Sequence, residues 1–180
     1  MFSREKFISD YYLTNIKKKL FFFKIYRYFF SSIAKTLSMM ISQSKNFLFI
    51  GIGQFPFIEL IKSDKITVNE IGEPYLEEFK KINKDSNIKN FDKDSIYDNI
   101  LISSLEYEKD PLLFLDKIRN LIQEDGRVFI LKYNLWWVPF IKIFSFFKLR
   151  VKHPYQNIIS DDFLKNMCLQ SNFEIVEKKS

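Results

Sequence analysis

At 180 residues the chain has room for one domain with a sizeable core, and 47% hydrophobic content with only 4 glycines excludes extensive disorder. The formal charge of +6 permits an anionic partner without requiring one, because the lysines are scattered rather than focused into one long run. A single cysteine, Cys168, excludes an intrachain disulfide and suits a reducing compartment. With one histidine, His153, and no HExxH or CxxC spacing, no metal site is expected. Cys168 lies in a helical pattern and reads as a small buried apolar residue rather than a nucleophile. His153, just before Pro154, reads as a loop residue and a poor general base.

In chain order, residues 3 to about 40 read as helical, with Ser3 as N-cap and a second helix over Phe22 to Met40. Ile25, Phe29, Ile33, Thr36, Leu37 and Met40 fall on one face of that second helix, expected to cover a core. No secretory signal is read, because no apolar core precedes a small-residue cleavage site. The run Phe47-Leu48-Phe49-Ile50 is short enough to be a buried strand and breaks at Gly51-Ile52-Gly53. An amphipathic segment, Phe57 to Lys62, then leads to a second strand, Lys65 to Asn69, with Glu70 at its tip. Glycines let a backbone approach a ligand closely, and a carboxylate there can accept hydrogen bonds from both hydroxyls of a ribose.

Gly72-Glu73-Pro74 opens the next helix, and Ile88 to Phe91 is a short edge strand. Tyr97 to Ser104 is a strand apolar enough to be buried on both faces. Asp110-Pro111 is a helix start; Leu112, Leu115, Ile118, Leu121 and Ile122 form its buried face, and Gly126 ends it. Arg127 to Tyr133 is the next strand. Trp136 to Phe147 is an aromatic segment, helical after Pro139. Ser160-Asp161-Asp162 caps a further helix that ends near Ser171-Asn172, and Phe173 to Glu177 starts a last strand.

Strands alternating with helices imply a parallel sheet with right-handed crossovers. The expected class is α/β: a three-layer Rossmann-like sheet, mostly parallel, with helices on both faces and an N-terminal helical extension. One domain is expected, with a helical cap over residues 1–44 and the core over 45–180. Ligands of such sheets sit beyond the carboxyl ends of the strands, where strand order reverses. The tips there are Gly51 to Phe55, Glu70, Ser103 to Tyr107 and Tyr133 to Trp136.

Three blocks in this order resemble the class I S-adenosylmethionine-dependent methyltransferases. They are Phe47 to Gly53, Val68 to Leu76, and the longest, Tyr97-Asp98-Asn99-Ile100-Leu101-Ile102-Ser103-Ser104-Leu105-Glu106-Tyr107 through Asp110-Pro111 to Gly126-Arg127-Val128-Phe129-Ile130. Tyr133 to Trp136 and Gln156 to Ser160 are similar to a bacterial subgroup often found beside glycosyltransferases of cell-envelope synthesis. The resemblance implies S-adenosylmethionine as cofactor. It implies that Gly51, Ile52 and Gly53 meet the methionine part and ribose, and that Glu70 takes the ribose hydroxyls. Ile71 would pack on the adenine, and Ser103, Ser104 and Leu105 would line the sulfonium. No catalytic residue is fixed; Glu106 and Tyr107 are the candidates for a base.

The chain departs from that family at three places. Phe49 stands where the family has an acid, Phe55 replaces the last glycine of the turn, and Tyr107 stands where many relatives have histidine. The family's last antiparallel strand is expected to be missing, so the chain reads as a fragment or as pairing Phe173 differently. These departures keep a second reading open, a methyltransferase-like fold serving as a binding or scaffold module. A dehydrogenase is disfavoured because Pro56 stands three residues past Gly53, where GxGxxG needs glycine. The expected acceptor is a small molecule or a lipid-linked glycan, with no specific nucleic acid partner, since no basic stripe with interleaved aromatics is present. The expected location is cytoplasmic, with a peripheral seat at the inner face of the membrane. The aromatics of the N-terminal helices and of Trp136 to Phe147 have two readings, filling a core or forming an apolar lid that contacts lipid.

Overall fold

Phe47 to Ile50 are four consecutive large apolar residues, and they form the centre of the molecule. Phe47, Leu48 and Phe49 are 0% exposed and Ile50 6%. Alternate residues of a strand point to opposite faces, so a strand buried at every position must be covered on both sides. Each such side chain contributes about 1.5–3 kcal/mol on leaving water. The computed structural model describes residues 2–41, 46–51, 66–70, 88–90, 94–132, 135–149 and 157–176.

Within them the elements are α1 (Phe2–Ile25), α2 (Arg27–Ile41), β1 (Phe47–Gly51), β2 (Ile66–Glu70), β3 (Ile88–Asn90) and β4 (Tyr97–Ile102). They continue with α3 (Pro111–Arg119), β5 (Ile122–Ile130), α4 (Val138–Phe146) and α5 (Asp161–Gln170). The strands form one sheet in the order β3-β2-β1-β4-β5, and every described pair is parallel. Leu48 and Ile50 of β1 share a face with their β4 partners Ile100 and Ile102. That face is packed against Leu115 and Ile118 of α3 and Met167 and Cys168 of α5. The opposite face, with Phe47, Phe49 and Leu101, is equally closed to water. The sheet is open and Rossmann-like, as its alternating elements imply.

Local chemistry sets the helix ends. Asp110 accepts a 3.0 Å hydrogen bond from the Leu113 amide with Pro111 behind it, and Ser160 accepts one of 3.2 Å from the Phe163 amide. Helix α5 closes with Asn172 at φ 57°, while the Asn172 and Phe173 amides donate back to the carbonyls of Leu169 and Cys168. Those paired bonds satisfy carbonyls that the helix end would otherwise orphan.

Several expectations are corrected. Ser3 lies inside α1, which begins at Phe2, and the break between the first two helices falls at Tyr26. The face of α2 that is buried is Ala34, Leu37 and Ile41, whereas Ile25 and Phe29 are exposed. Gly126 does not end α3, which stops at Arg119. It lies within β5, where the register with β4 shifts: two steps on β4, Tyr97 to Asn99, span five on β5, Ile122 to Arg127. A Cβ at Gly126 would come 2.8 Å from the Asp98 carbonyl oxygen, so glycine is required by that close backbone approach. Residues Phe173 to Val176 join no ladder. The segments Phe57 to Lys62 and Pro74 to Ile82 lie outside the described residues.

Cys168 is buried in the α3–α5 core, and burial pushes its thiol above the ordinary value. The folded chain therefore keeps this proton at a pH where the unfolded chain has released it. The contribution is flat below about pH 8.5, and stability is lost as pH rises above it. We expect the native thiol to react with a disulfide reagent at pH 8 at least about tenfold more slowly than the urea-unfolded chain. Equal rates would show that Cys168 is accessible.

Candidate functional site

The strand order reverses between β1 and β4, since the chain runs outward from β1 to β2 and β3 on one side and to β4 and β5 on the other. In an open parallel sheet the crevice beyond the carboxyl ends at this point is where ligands bind. β1 ends there at Gly51, in register with Glu70 at the end of β2. On the other side, the Ser103 amide donates a 2.9 Å hydrogen bond to the Ile50 carbonyl as the chain leaves β4. Glu70, Gly51 and Ser103 thus stand in sequence across three neighbouring strand ends.

Gly51 is bare for a specific reason. A Cβ there would lie 2.5 Å from Cζ of the Phe49 ring and 2.8 Å from the Ser103 hydroxyl oxygen. Real Cβ atoms do not come so close, so a side chain at 51 would displace one or both. The Phe49 ring, two residues earlier on the same face, therefore lies along the glycine. The Ser103 hydroxyl is buried and has no hydrogen-bond partner among the described residues. Leaving a hydroxyl so costs about 1–3 kcal/mol. Such an orphan beside a bare glycine, at the switch point of the sheet, is the strongest local sign of a ligand's place.

Ser104 and Leu105 follow, both buried, into a single turn of 3-10 helix, Leu105–Tyr107, closed by the Tyr107 amide donating 2.8 Å to the Ser104 carbonyl. Glu106 and Tyr107 are buried at 6% and 5% exposure. The turn is held from outside. The Asn157 amide donates to the Glu106 carbonyl at 2.7 Å, and its side-chain nitrogen donates to the Glu108 carbonyl at 2.7 Å. Ile52, Gly53, Ile71 and Phe55 lie outside the described residues, as does His153.

Lys132 was missed in the sequence. Past the end of β5, its ammonium is 2.6 Å from an Asp161 carboxylate oxygen and donates to the Ile159 carbonyl at 3.3 Å. It ties the β5 tip to the first turn of α5, whose N-terminus also favours the acid. Its position directly after an apolar strand was the available signal. No group of three metal-ligating side chains occurs among the described residues.

The packing of Phe49 on Gly51 makes a direct prediction. Gly51→Ala should destabilise the chain by about 1–3 kcal/mol, the ordinary cost of overpacking a closed core. Combining it with Phe49→Leu should recover part of that loss, as a double-mutant cycle in urea would read. Strict additivity would show that the ring and the glycine are not in contact.

No family model matches the chain, and no curated protein matches its sequence. Solved structures do match it. A SAM-dependent methyltransferase from Thermotoga maritima, described as a possible histamine N-methyltransferase, superimposes with a TM-score of 0.69 at 14% identity, over 93% of this chain and 82% of that one. The glycopeptide N-methyltransferase MtfA matches with a TM-score of 0.43 at 14% identity, over 56% of this chain and 52% of that one. Streptomyces venezuelae DesVI matches with a TM-score of 0.43 at 13% identity, over 58% and 51%. Strand order and the extent of the Thermotoga superposition agree: this chain has the fold of the class I SAM-dependent methyltransferases.

Proposed function

We propose that the chain is an S-adenosylmethionine-dependent methyltransferase acting on a small-molecule or lipid-linked envelope acceptor from the cytoplasmic side. The observation that carries the reading is the alignment of Glu70, Gly51 and the unpartnered Ser103 hydroxyl across three adjacent strand ends, in a chain with this fold. Gly51 at the strand end, with Ile52 and Gly53 after it, suits a turn whose backbone approaches the methionine part and ribose of the cofactor. Glu70 stands where a carboxylate would accept hydrogen bonds from a ribose diol, and Ile71 follows to meet a base. Ser103, Ser104 and Leu105 would stand beside the reacting end, with Ser103 able to donate the hydrogen bond for which it has no acceptor among the described residues.

When bound, the cofactor supplies an already activated methyl group, so the protein's task is alignment and exclusion of water. An acceptor nitrogen presented neutral needs no base. For a hydroxyl acceptor, Glu106 and Tyr107 are the residues close enough in sequence to the β4 tip to take the proton, and both are shielded from bulk water.

A second reading is favoured by Phe49. Its ring occupies the flank of Gly51 that an acid would serve, which suits a binding module retaining the fold without the cofactor.

Isothermal titration of the full chain with S-adenosylmethionine separates the two. We expect saturable heat, weakened about tenfold or more by Glu70→Gln, in line with ~1–3 kcal/mol for an unpaired diol. Ser103→Ala should weaken cofactor binding while leaving urea stability equal or higher, because it removes an unsatisfied hydroxyl. A purely structural serine would lower both. No heat at millimolar cofactor overturns the methyltransferase reading, and Phe49→Asp should then create binding that the natural chain lacks.

A further inference from the structure

Between Leu135 and Leu149 no described side chain is buried. Trp136 is 83% exposed, Trp137 56%, Phe140 52%, Phe146 82% and Phe147 64%. Yet α4, which fills the middle of this stretch, has only one charged residue, Lys142, on nine positions. A helix apolar around most of its circumference belongs in a core or in lipid. Among the described residues none of its side chains is buried, so its apolar surface is left for a partner.

Charge says what. From Gly126 to Ser160 there are 35 residues with six cations and no acid: Arg127, Lys132, Lys142, Lys148, Arg150 and Lys152. The chain has 28 cations and 22 acids in all, so the other 145 residues hold 22 of each and balance. The entire formal charge of +6 therefore resides in the segment that carries α4. Lys132 is engaged by Asp161; Lys142 and Lys148 are exposed. A patch of tryptophan and phenylalanine within a segment that carries cations and no acid matches the interface of an anionic bilayer, where aromatic rings sit at headgroup depth and lysines meet acidic lipid.

Dimensions agree. Nine residues rise about 14 Å, far short of a bilayer's ~30 Å core, so the helix lies along the surface. Among the described residues no helix is long and apolar enough to cross. The helix end is also well defined. Lys148 takes φ 56°, with the Lys148 and Leu149 amides donating to the carbonyls of Ser145 and Phe144, so α4 is a closed element rather than a frayed strap.

We propose that Leu135 to Leu149 is a membrane-docking element that seats α4 in the surface of an anionic bilayer. β5 delivers it to the end of the sheet where Gly51 and Ser103 lie, so docking would turn that crevice toward the lipid. The docking does not depend on methyl transfer, and its test reads no cofactor.

The test uses the chain's own tryptophans, both of which lie in this element. The full chain is mixed with vesicles of phosphatidylcholine alone or with phosphatidylglycerol, at low and at high salt, and followed by flotation and intrinsic fluorescence. We expect flotation with the anionic vesicles, loss of most of it at high salt, and a blue shift of emission on binding. Lys142→Gln with Lys148→Gln should weaken partition roughly 25-fold, at about fivefold per charge. Phe146→Glu with Phe147→Glu should abolish it while leaving thermal stability unchanged, since both rings are exposed. Flotation without a fluorescence shift would overturn the proposal by placing contact elsewhere. So would equal binding to neutral vesicles, or absence of flotation with concentration-dependent self-association, which would assign the patch to a second copy.

Discussion

The contact on which the site depends is the Phe49 ring packed beside Gly51. It needs glycine at 51, a β1 strand buried on both faces, and Ser103 close enough for its hydroxyl to border the same space. Those three conditions also place a bare backbone and an unsatisfied donor at the point where strand order reverses. The substitution that makes the first strand atypical for this fold therefore also explains why its glycine is fixed. An acid at 49 would add charge to a fully closed face, which is costly unless a ligand or a basic group answers it. Phenylalanine removes that cost and leaves Glu70 and Ser103 as the polar residues at the neighbouring strand ends.

Much of the sheet was legible from residues alone, because parallel strands buried on both faces are short continuous apolar runs. Phe47 to Ile50 is such a run throughout, and β4 becomes one from Ile100 to Ile102. Asp110-Pro111 and Ser160 mark helix starts by purely local hydrogen bonding, and they were equally visible. What failed needed distant information. A glycine after a helix looks the same whether it closes that helix or lets a strand pass close to another backbone; only the position of Asp98 decides for Gly126. Phe173 to Val176 read like a strand but pair with none of the described strands. The break at Tyr26 has no glycine or proline to announce it. Of the site, Gly51, Glu70 and Ser103 were nameable from topology, while the missing partner of Ser103 is a property of packing that no spacing encodes.

The aromatics illustrate a different kind of miss. Core filling and surface contact predict the same composition, and only exposure separates them. Ala34, Leu37 and Ile41 of α2 went inside; Tyr28 and Phe29 on the same helix, and nearly all of α4, stayed out. Yet one relevant signal was in the sequence throughout. The lysines are indeed scattered, but the acids are not: their absence from Gly126 to Ser160 is what concentrates the charge. Field depends on the sum of both signs, so a gap in the acids is as informative as a run of cations.

The two ends of the sheet treat their polar groups in opposite ways. At the amino end, Asp98 spends both carboxylate oxygens on neighbours, accepting from the Asn46 amide and from the Gln123 side chain, each at 3.2 Å. Its own amide donates to the Asn46 carbonyl at 3.1 Å. β1, β4 and β5 are thereby clamped together where nothing else is asked of them. At the carboxyl end the same strands finish in a bare glycine, an unpartnered hydroxyl and a chain that leaves for an exposed aromatic helix. Buried hydroxyls left unsatisfied and apolar helices left in water are both costly, and their coincidence at one edge is not what stability alone would select. The clamp holds the strands at one end, so their order does not depend on the polar and apolar groups left unsatisfied at the other.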